Sequence, residues 1–375
     1  MIYLDYSANT PAAPEVLDRF VQIERDFIGN PNSSHQEGRA AQAEMAKVTD
    51  KIAGLLNVNP AEIIYTSGAS EANNLAIKGI ARAARHVGHH IISTPLEHSS
   101  VSGCLTALQE QGYEIDLVGI EKDGTINLNE LKELLRKDTV LVAVCSVDSE
   151  LGCVQPIGEI SEILKAFPDC RLHVDATQAV GKTEVSFEGI DTMCFTGHKF
   201  YGLNGCGILL KRKKLVIEPL IHGGTSTTIY RSGTPALALA AATETALTMA
   251  LEGQESRFTA VQALNERLRK ALDAYPHVRI NSPMHAVPHI LNLSVYGVKG
   301  TVFQKNLDVR GICVSVKSAC SAEGQPSRPV FAVSQDRKNA LSSWRISLSH
   351  LTTEAELDAF LQAFDDCYQK LTATL

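Results

Sequence analysis

Residues 171–211 read RLHVDATQAVGKTEVSFEGIDTMCFTGHKFYGLNGCGILLK. The stretch holds three short apolar runs, Arg171–Asp175, Thr192–Thr196 and Gly207–Lys211, bounded by Gly, Asp or Asn. Runs of that length between turn residues read as buried strands. Four more of the kind precede them, at Glu62–Thr66, His90–Thr94, Ile115–Gly119 and Val140–Val147. Helical patterns fall between many of these strands, near 69–86, 98–111, 127–136 and 156–166. Strand–helix alternation predicts an α/β fold with a mostly parallel, seven-stranded sheet covered on both faces.

After Thr234 the pattern changes. Two long helical stretches, about 235–251 and 254–274, lead into Val278–Asn281, Ile290–Tyr296, a helix near 301–308, Val314–Val316, Arg345–Ser349 and a last helix from about 353 to 372. This is an α+β pattern. It predicts a large domain over 16–250 and a smaller C-terminal domain over 251–375. Residues 1–15 carry Pro11 and Pro14 and read as an irregular arm packing with the smaller domain.

Composition narrows the function. The 375 residues are 44% hydrophobic, enough for a sizeable core. The formal charge of −7 speaks against nucleic acid as a partner, and the short basic run Lys211-Arg212-Lys213-Lys214 reads as a solvated turn. The start Met-Ile-Tyr-Leu-Asp-Tyr has neither the basic nor the apolar segment of a signal peptide. No apolar run is long enough for a membrane span; the Ala/Leu-rich stretch Pro235–Leu251 is broken by Thr243, Glu244, Thr245 and Thr248. The nine cysteines form no C-x-x-C pair, which points to free thiols, no metal site and the cytoplasm.

Thr196-Gly197-His198-Lys199 follows the strand Thr192–Thr196. A lysine at a strand end, among glycines at 197, 202, 205 and 207, has a rigid support from which to reach a ligand. Lysine amines form Schiff bases with aldehydes, of which pyridoxal 5'-phosphate (PLP) is the usual one. Alone, the motif equally describes a surface lysine in a glycine-rich turn. Asp175 ends the strand Arg171–Asp175, and ligands of open α/β sheets sit beyond such carboxyl ends. A carboxylate there suits the pyridine nitrogen of PLP, and equally suits a helix N-cap. Gln178 lies close enough to reach the cofactor's phenolic oxygen. Tyr65-Thr66-Ser67-Gly68-Ala69-Ser70-Glu71 runs from strand through small residues into a helix, a phosphate cradle or ordinary capping. His98, at another strand end, reads as a ring-stacking proton shuttle or as a structural histidine.

Asp175-Ala176-Thr177-Gln178 followed by Thr196-Gly197-His198-Lys199 resembles the class V aminotransferase group of fold type I PLP enzymes. The opening Tyr3-Leu4-Asp5-Tyr6-Ser7-Ala8-Asn9-Thr10-Pro11 resembles the start of the cysteine desulfurases of that group, of NifS/IscS type. So do Gly29-Asn30-Pro31 with Ser33-Ser34-His35, Glu97-His98, His222-Gly223-Gly224, Arg231-Ser232-Gly233-Thr234, Ser318-Ala319-Cys320-Ser321 and Trp344-Arg345-Ile346-Ser347-Leu348, all in family order. The resemblance implies an aspartate aminotransferase-like fold and a homodimer that converts L-cysteine to L-alanine. Lys199 would carry PLP, Asp175 pair with its ring nitrogen, Gln178 with its phenolic oxygen, and His98 stack on it. Ala69, Ser70, Thr196 and His198 would surround the phosphate, with Thr234 reaching the phosphate of the neighbouring subunit. Arg345 would clamp the substrate carboxylate, and Asn30 and His35 line the entrance. Cys320 would receive the sulfur as a persulfide, in a segment, Ser318 to Ser334, whose Ser, Ala, Gly and Pro suit an exposed loop. Cys145, Cys194, Cys206 and Cys313 read as buried packing instead. The sulfur would pass to an acceptor, an iron–sulfur scaffold or a protein of tRNA or cofactor thiolation.

Two stretches depart from the family pattern. Val147-Asp148-Ser149-Glu150-Leu151-Gly152 replaces Asn-Asn-Glu-x-Gly, so the Ser149 hydroxyl stands where an amide would meet substrate, and Asp148 adds a charge beside it. Gly223-Gly224-Thr225-Ser226-Thr227 replaces Gly-Gly-Gly-Gln-Glu, and the chain stops at Leu375 without the longer tail that docks a scaffold protein. A selenocysteine lyase or an aminotransferase would keep Lys199 and Asp175 without needing Cys320.

Overall fold

The structure is a computed structural model that describes residues 1–317 and 324–373. Cys320 and its neighbours 318–323 lie outside the described residues. In chain order the first half comprises β1 (Ile2–Tyr3), α1 (Pro14–Asp26), α2 (Gln36–Leu56), β2 (Ile63–Thr66), α3 (Ala69–Ala83), β3 (His90–Ser93), α4 (Ser99–Gln109), β4 (Glu114–Leu117), α5 (Leu128–Leu134), β5 (Thr139–Cys145), α6 (Ile157–Leu164), β6 (Arg171–Asp175), β7 (Thr192–Thr196) and β8 (Gly207–Lys211). Then follow α7 (Leu237–Glu252), α8 (Gln254–Leu272), β9 (Val278–Ile280), β10 (Ile290–Val295), α9 (Gly300–Asp308), β11 (Ile312–Cys313), α10 (Arg328–Ser334), α11 (Arg337–Ser342), β12 (Ser343–Ser347) and α12 (Glu354–Thr372).

Seven strands form one sheet in the order β2-β8-β7-β6-β5-β3-β4. The pairs β3–β4, β3–β5, β5–β6 and β6–β7 are parallel, and β8 is antiparallel to both its neighbours. Alternate side chains feed two cores, one on each face. Ile63, Ile92, Val142, Val144 and Val174 pack with α1, α2 and α7. Ile64, Ile91, Leu141, Ala143 and Leu209 pack with α3 and α4. Each such side chain contributes about 1.5–3 kcal/mol by burial, and covering on both faces explains why β5 is buried along its whole length.

The register places the functional edge. Thr66 pairs with Gly207, Gly207 with Thr196, and Asp175 lies between Cys145 and Cys194. The carboxyl ends of β2, β5, β6 and β7 therefore share one rim of the sheet.

A second core gathers Leu4, Val261, Leu291, Phe303, Trp344 and Phe364 around the antiparallel sheet β12-β10-β9. The Phe303 and Trp344 rings stack at 5.1 Å. Leu268 and Leu272 of α8 pack in this core, whereas Ala240, Ala246 and Ala250 of α7 pack in the first.

Some expectations are corrected. The first residues are not wholly irregular: β1 pairs in parallel with β11, a non-local partner that no local pattern announces. The strand expected at Val314–Val316 is Ile312–Cys313 instead, with Ser315 making only an isolated bridge to Arg345. Helices α1 and α2 went unread, although Ala41, Met45, Val48 and Ile52 form an apolar stripe of helical spacing. Cys145, Cys194 and Cys206 are buried as expected, but Cys313 is only partly so, because β11 lies in a two-stranded ribbon.

Candidate active site

A cavity of about 380 Å³ opens at the shared rim of the sheet. Its lining brings together Lys199, Asp175, Gln178, His98, Thr196 and His198, and also Ala69, Ser70, Ser149 and Arg345. Thr234, Asn30 and His35 are exposed and outside that lining. The His35 side chain caps α2 by accepting from Gly38 N at 3.2 Å, and Asn30 Oδ1 accepts from Asn32 N at 2.9 Å.

Lys199 is delivered by the tight turn that follows β7. The amides of Phe200 and Gly202 both donate to Gly197 O at 2.9 Å, and a Cβ on Gly202 would sit 2.9 Å from that peptide. Lys199 Nζ donates to Ser7 O at 2.9 Å and to Ala8 O at 2.6 Å. The N-terminal arm thus holds the amine in the cavity, a contribution that motif reading around Lys199 missed.

Asp175 is held from behind. Its Oδ2 accepts from Asn73 Nδ2 at 2.8 Å and its Oδ1 from Thr177 N at 3.0 Å. Among the described residues no helix follows β6 before β7, so Asp175 is not the helix N-cap of one sequence reading; it caps a turn, and its carboxylate lines the cavity. Asn73 is fully buried on α3, donates also to Ser100 Oγ at 2.9 Å, and through Oδ1 meets His173 Nε2 at 2.8 Å. Asn73 too was missed; an amide within the apolar stripe Ala72, Leu75, Ala76, Ile80 was the available signal.

The Ser100 hydroxyl lies 2.9 Å from His98 Nδ1, and Ser100 N donates to the same nitrogen at 3.1 Å. An Nδ1 that accepts a backbone N–H leaves the proton on Nε2. Burial, the largest influence, pushes the His98 pKa below the ordinary value, against the pull of Asp175. His198 is pushed down to about 4 by burial, with Lys199 and Lys182 adding.

The start of α3 has no side-chain cap, and its N-cap Gly68 has a φ of 156° that suits glycine. Gly207 runs beside it so closely that a Cβ there would lie 2.5 Å from the Gly68 peptide. Uncapped N–H groups at a helix start attract anions. Glu71 is turned aside, accepting from Ser67 N at 2.7 Å and pairing with Arg231 at 2.9 Å.

Arg345 forms the opposite wall. Its Nη2 donates to Asp5 Oδ1 at 2.9 Å and its Nη1 to Ser149 O at 2.6 Å. The Ser315 hydroxyl fixes the other Asp5 oxygen at 2.7 Å. Asp148, expected to add charge beside Ser149, is fully buried and accepts from Glu150 N and Leu151 N in its own turn. Burial, with Glu150 adding, raises it to about 7.

Residues 2–360 match the aminotransferase class-V family. The chain belongs to that family. It is 38% identical to a NifS/IcsS protein homolog of Lactobacillus delbrueckii subsp. bulgaricus, over 98% of this chain and 97% of the relative. It is 34% identical to a cysteine desulfurase IscS of Dictyoglomus turgidum, over 99% of this chain and 95% of the relative. A solved NifS-like protein superposes with a TM-score of 0.93 at 32% identity, covering 99% of this chain and 100% of that one. A solved structure of SspA in complex with cysteine superposes with a TM-score of 0.82 at 30% identity, covering 94% of this chain and 100% of that one.

Proposed function

We propose that the protein is a PLP-dependent cysteine desulfurase, which converts L-cysteine to L-alanine and passes the sulfur through a persulfide on Cys320 to an acceptor protein. Relatives named as cysteine desulfurases, aligned over nearly the whole chain, support the reaction class. One observation carries the reading: a lysine amine and a buttressed carboxylate line one cavity together with an uncapped helix start.

The residues fit PLP. An aldehyde suits Lys199, a protonated ring nitrogen suits Asp175, and a phosphate suits the first turn of α3 with Ala69, Ser70, Thr196 and His198. When bound, PLP supplies an electron sink for the charge left by the departing Cα proton. Asp175 would keep the ring nitrogen protonated, and the Asn73 and Thr177 donors hold its carboxylate for that task. Gln178 would donate an N–H to the phenolic oxygen. Lys199 would hold the cofactor through its amine and, as a base beside the substrate, move the Cα proton. His98, neutral with its proton on Nε2, would exchange a proton with the substrate thiol. Arg345 would take the substrate carboxylate as a planar, two-point donor, with Ser149 beside it. The Cys320 thiolate would attack the substrate sulfur. An S–S bond forms as the C–S bond breaks, its electron pair stays with carbon, and a proton added at Cβ together with return of the Cα proton by Lys199 gives alanine. Asn30 and His35 stand outside this proposal.

Thr234 is exposed and outside its own chain's cavity, which supports a homodimer in which it completes the phosphate site of a second copy. The two cores support a large unit over 16–250 and a smaller one over 251–375, with residues 1–15 lying along the smaller. Among the described residues no helix is long and apolar enough to cross a membrane and every cysteine is unbridged. Both fit the cytoplasm. The acceptor would be an iron–sulfur scaffold or a thiolation protein.

Borohydride reduction of the PLP-loaded protein, followed by peptide mapping, tests the cofactor assignment. A pyridoxyl label on Lys199 is expected; a label elsewhere, or none, overturns it.

A further inference from the structure

Lys182 is a buried cation that no step above uses. It follows β6 at Gly181-Lys182 and is only 7% exposed. Its Nζ donates to Gln178 Oε1 at 2.5 Å. Gln178 Nε2 in turn donates to Ser7 O at 2.8 Å, and Lys199 Nζ donates to that same carbonyl. Two lysines are thus joined through one amide and one peptide oxygen.

This arrangement dictates which way the Gln178 amide faces. An ammonium only donates and a backbone carbonyl only accepts. Between them an amide has one orientation that makes both bonds. Turned over, it would set NH₂ against the ammonium and oxygen against oxygen. Each lost bond would leave a buried polar group unpaired.

Among the described residues Lys182 makes no ion pair. Burial pushes its pKa down to about 7, and Lys199 and Arg345 push the same way. An apolar side chain would fill the position without the desolvation cost. What the lysine supplies is a donor aimed at Gln178.

We propose that Lys182 is a positioning residue for the ligand of this cavity. It locks the Gln178 amide so that an N–H, not a carbonyl oxygen, is offered to an anionic oxygen bound beside Lys199. The inference rests on the PLP reading, which supplies such an oxygen in the cofactor's phenolate.

A double-mutant cycle on the apo-protein tests it, reading the Kd for pyridoxal 5'-phosphate and the absorption maximum of the bound cofactor. Lys182→Met is expected to weaken binding about fivefold to tenfold and to move the absorption maximum. In a Gln178→Ala background the same substitution is expected to do neither, because its effect runs through the amide. Equal losses in both backgrounds, or no loss in either, overturn the proposal. Should Lys182→Met fail to fold by circular dichroism, Lys182→Ala, which likewise removes the donor, enters the same cycle with the same two outcomes. Wild-type protein that takes up no pyridoxal phosphate would overturn the cofactor reading and this inference with it. Wild-type uptake with additive losses overturns the inference alone.

Discussion

The two walls of the cavity are built differently. On the wall of β6 and α3, secondary-structure ends present Asp175, and Asn73 and the Thr177 amide satisfy its oxygens from behind. On the wall of β12 and the 147–152 turn, Arg345 is reached from the far end of the chain by Asp5, 340 residues away in sequence. Its other Nη is taken by the Ser149 carbonyl, and its buried Nε has no hydrogen-bond partner among the described residues. The first wall is complete and needs only a ligand. On the second, a carboxylate ligand must share a guanidinium that already has two acceptors. On the proposed function, the cofactor side would be held ready by fixed contacts and the substrate side would exchange acceptors on binding.

Breaking the first wall should cost most. Lys199→Ala removes both the tether and the proton carrier, and alanine formation from cysteine should fall at least about 10³-fold. Activity within tenfold of wild type would refute the assignment. Arg345→Ala should lower kcat/KM about 10–100-fold, as expected for losing hydrogen bonds to a charged group. Its PLP affinity should stay near wild type. Weakened cofactor binding instead would mean the two walls are not separable.

Asn73→Leu should be felt chiefly as stability. It leaves an oxygen of Asp175 and a nitrogen of His173 without partners, so urea unfolding should show a loss of about 2 kcal/mol. An unchanged midpoint would mean that other groups satisfy them. Ser149→Asn should sharpen the second wall, lowering the KM for cysteine about fivefold if the added amide makes one hydrogen bond to substrate. No change in KM would remove this position from substrate recognition.

Another effect is a pH dependence of stability. Glu97 caps the end of β5, accepting from Cys145 N at 2.9 Å and Thr94 Oγ1 at 2.8 Å, and burial raises its pKa from 4.5 to about 8. The folded state therefore holds a proton that the unfolded chain releases, so stability falls as pH rises from about 4.5 towards about 8. Glu97→Gln keeps the accepting oxygen and removes this penalty. The variant should match wild type at pH 4 and exceed it by about 1–2 kcal/mol at pH 8 in denaturant titrations. Parallel pH profiles would contradict the assignment.

Much of this was legible in the sequence, for a physical reason. Strands buried on both faces are continuous apolar runs, so the inner strands of the large sheet could be read; the edge strand β4, exposed at both ends, was readable only from Ile115 and Leu117 between turn residues. Ligands gather at strand carboxyl ends, so Asp175 and Lys199 stood out. What escaped depends on contacts between distant residues. Ser7 and Ala8 act through backbone carbonyls, Asp5 through a partner near the other end of the chain, and β1 through pairing with β11. Lys182 went unread; only its burial beside Gln178 gives it a role. Asp148 looked like a charge in the site and is instead the cap of its own turn.

The central claim is that sulfur leaves cysteine through the thiol of Cys320 while Lys199 carries the cofactor. Wild type and Cys320→Ala, both loaded with pyridoxal phosphate, should be given cysteine with excess dithiol, which reduces the persulfide to thiol and sulfide, side by side while alanine and sulfide are measured. The account predicts stoichiometric alanine and sulfide from the wild type, and loss of both from the variant with its cofactor absorbance intact. Undiminished desulfuration by the variant would contradict it.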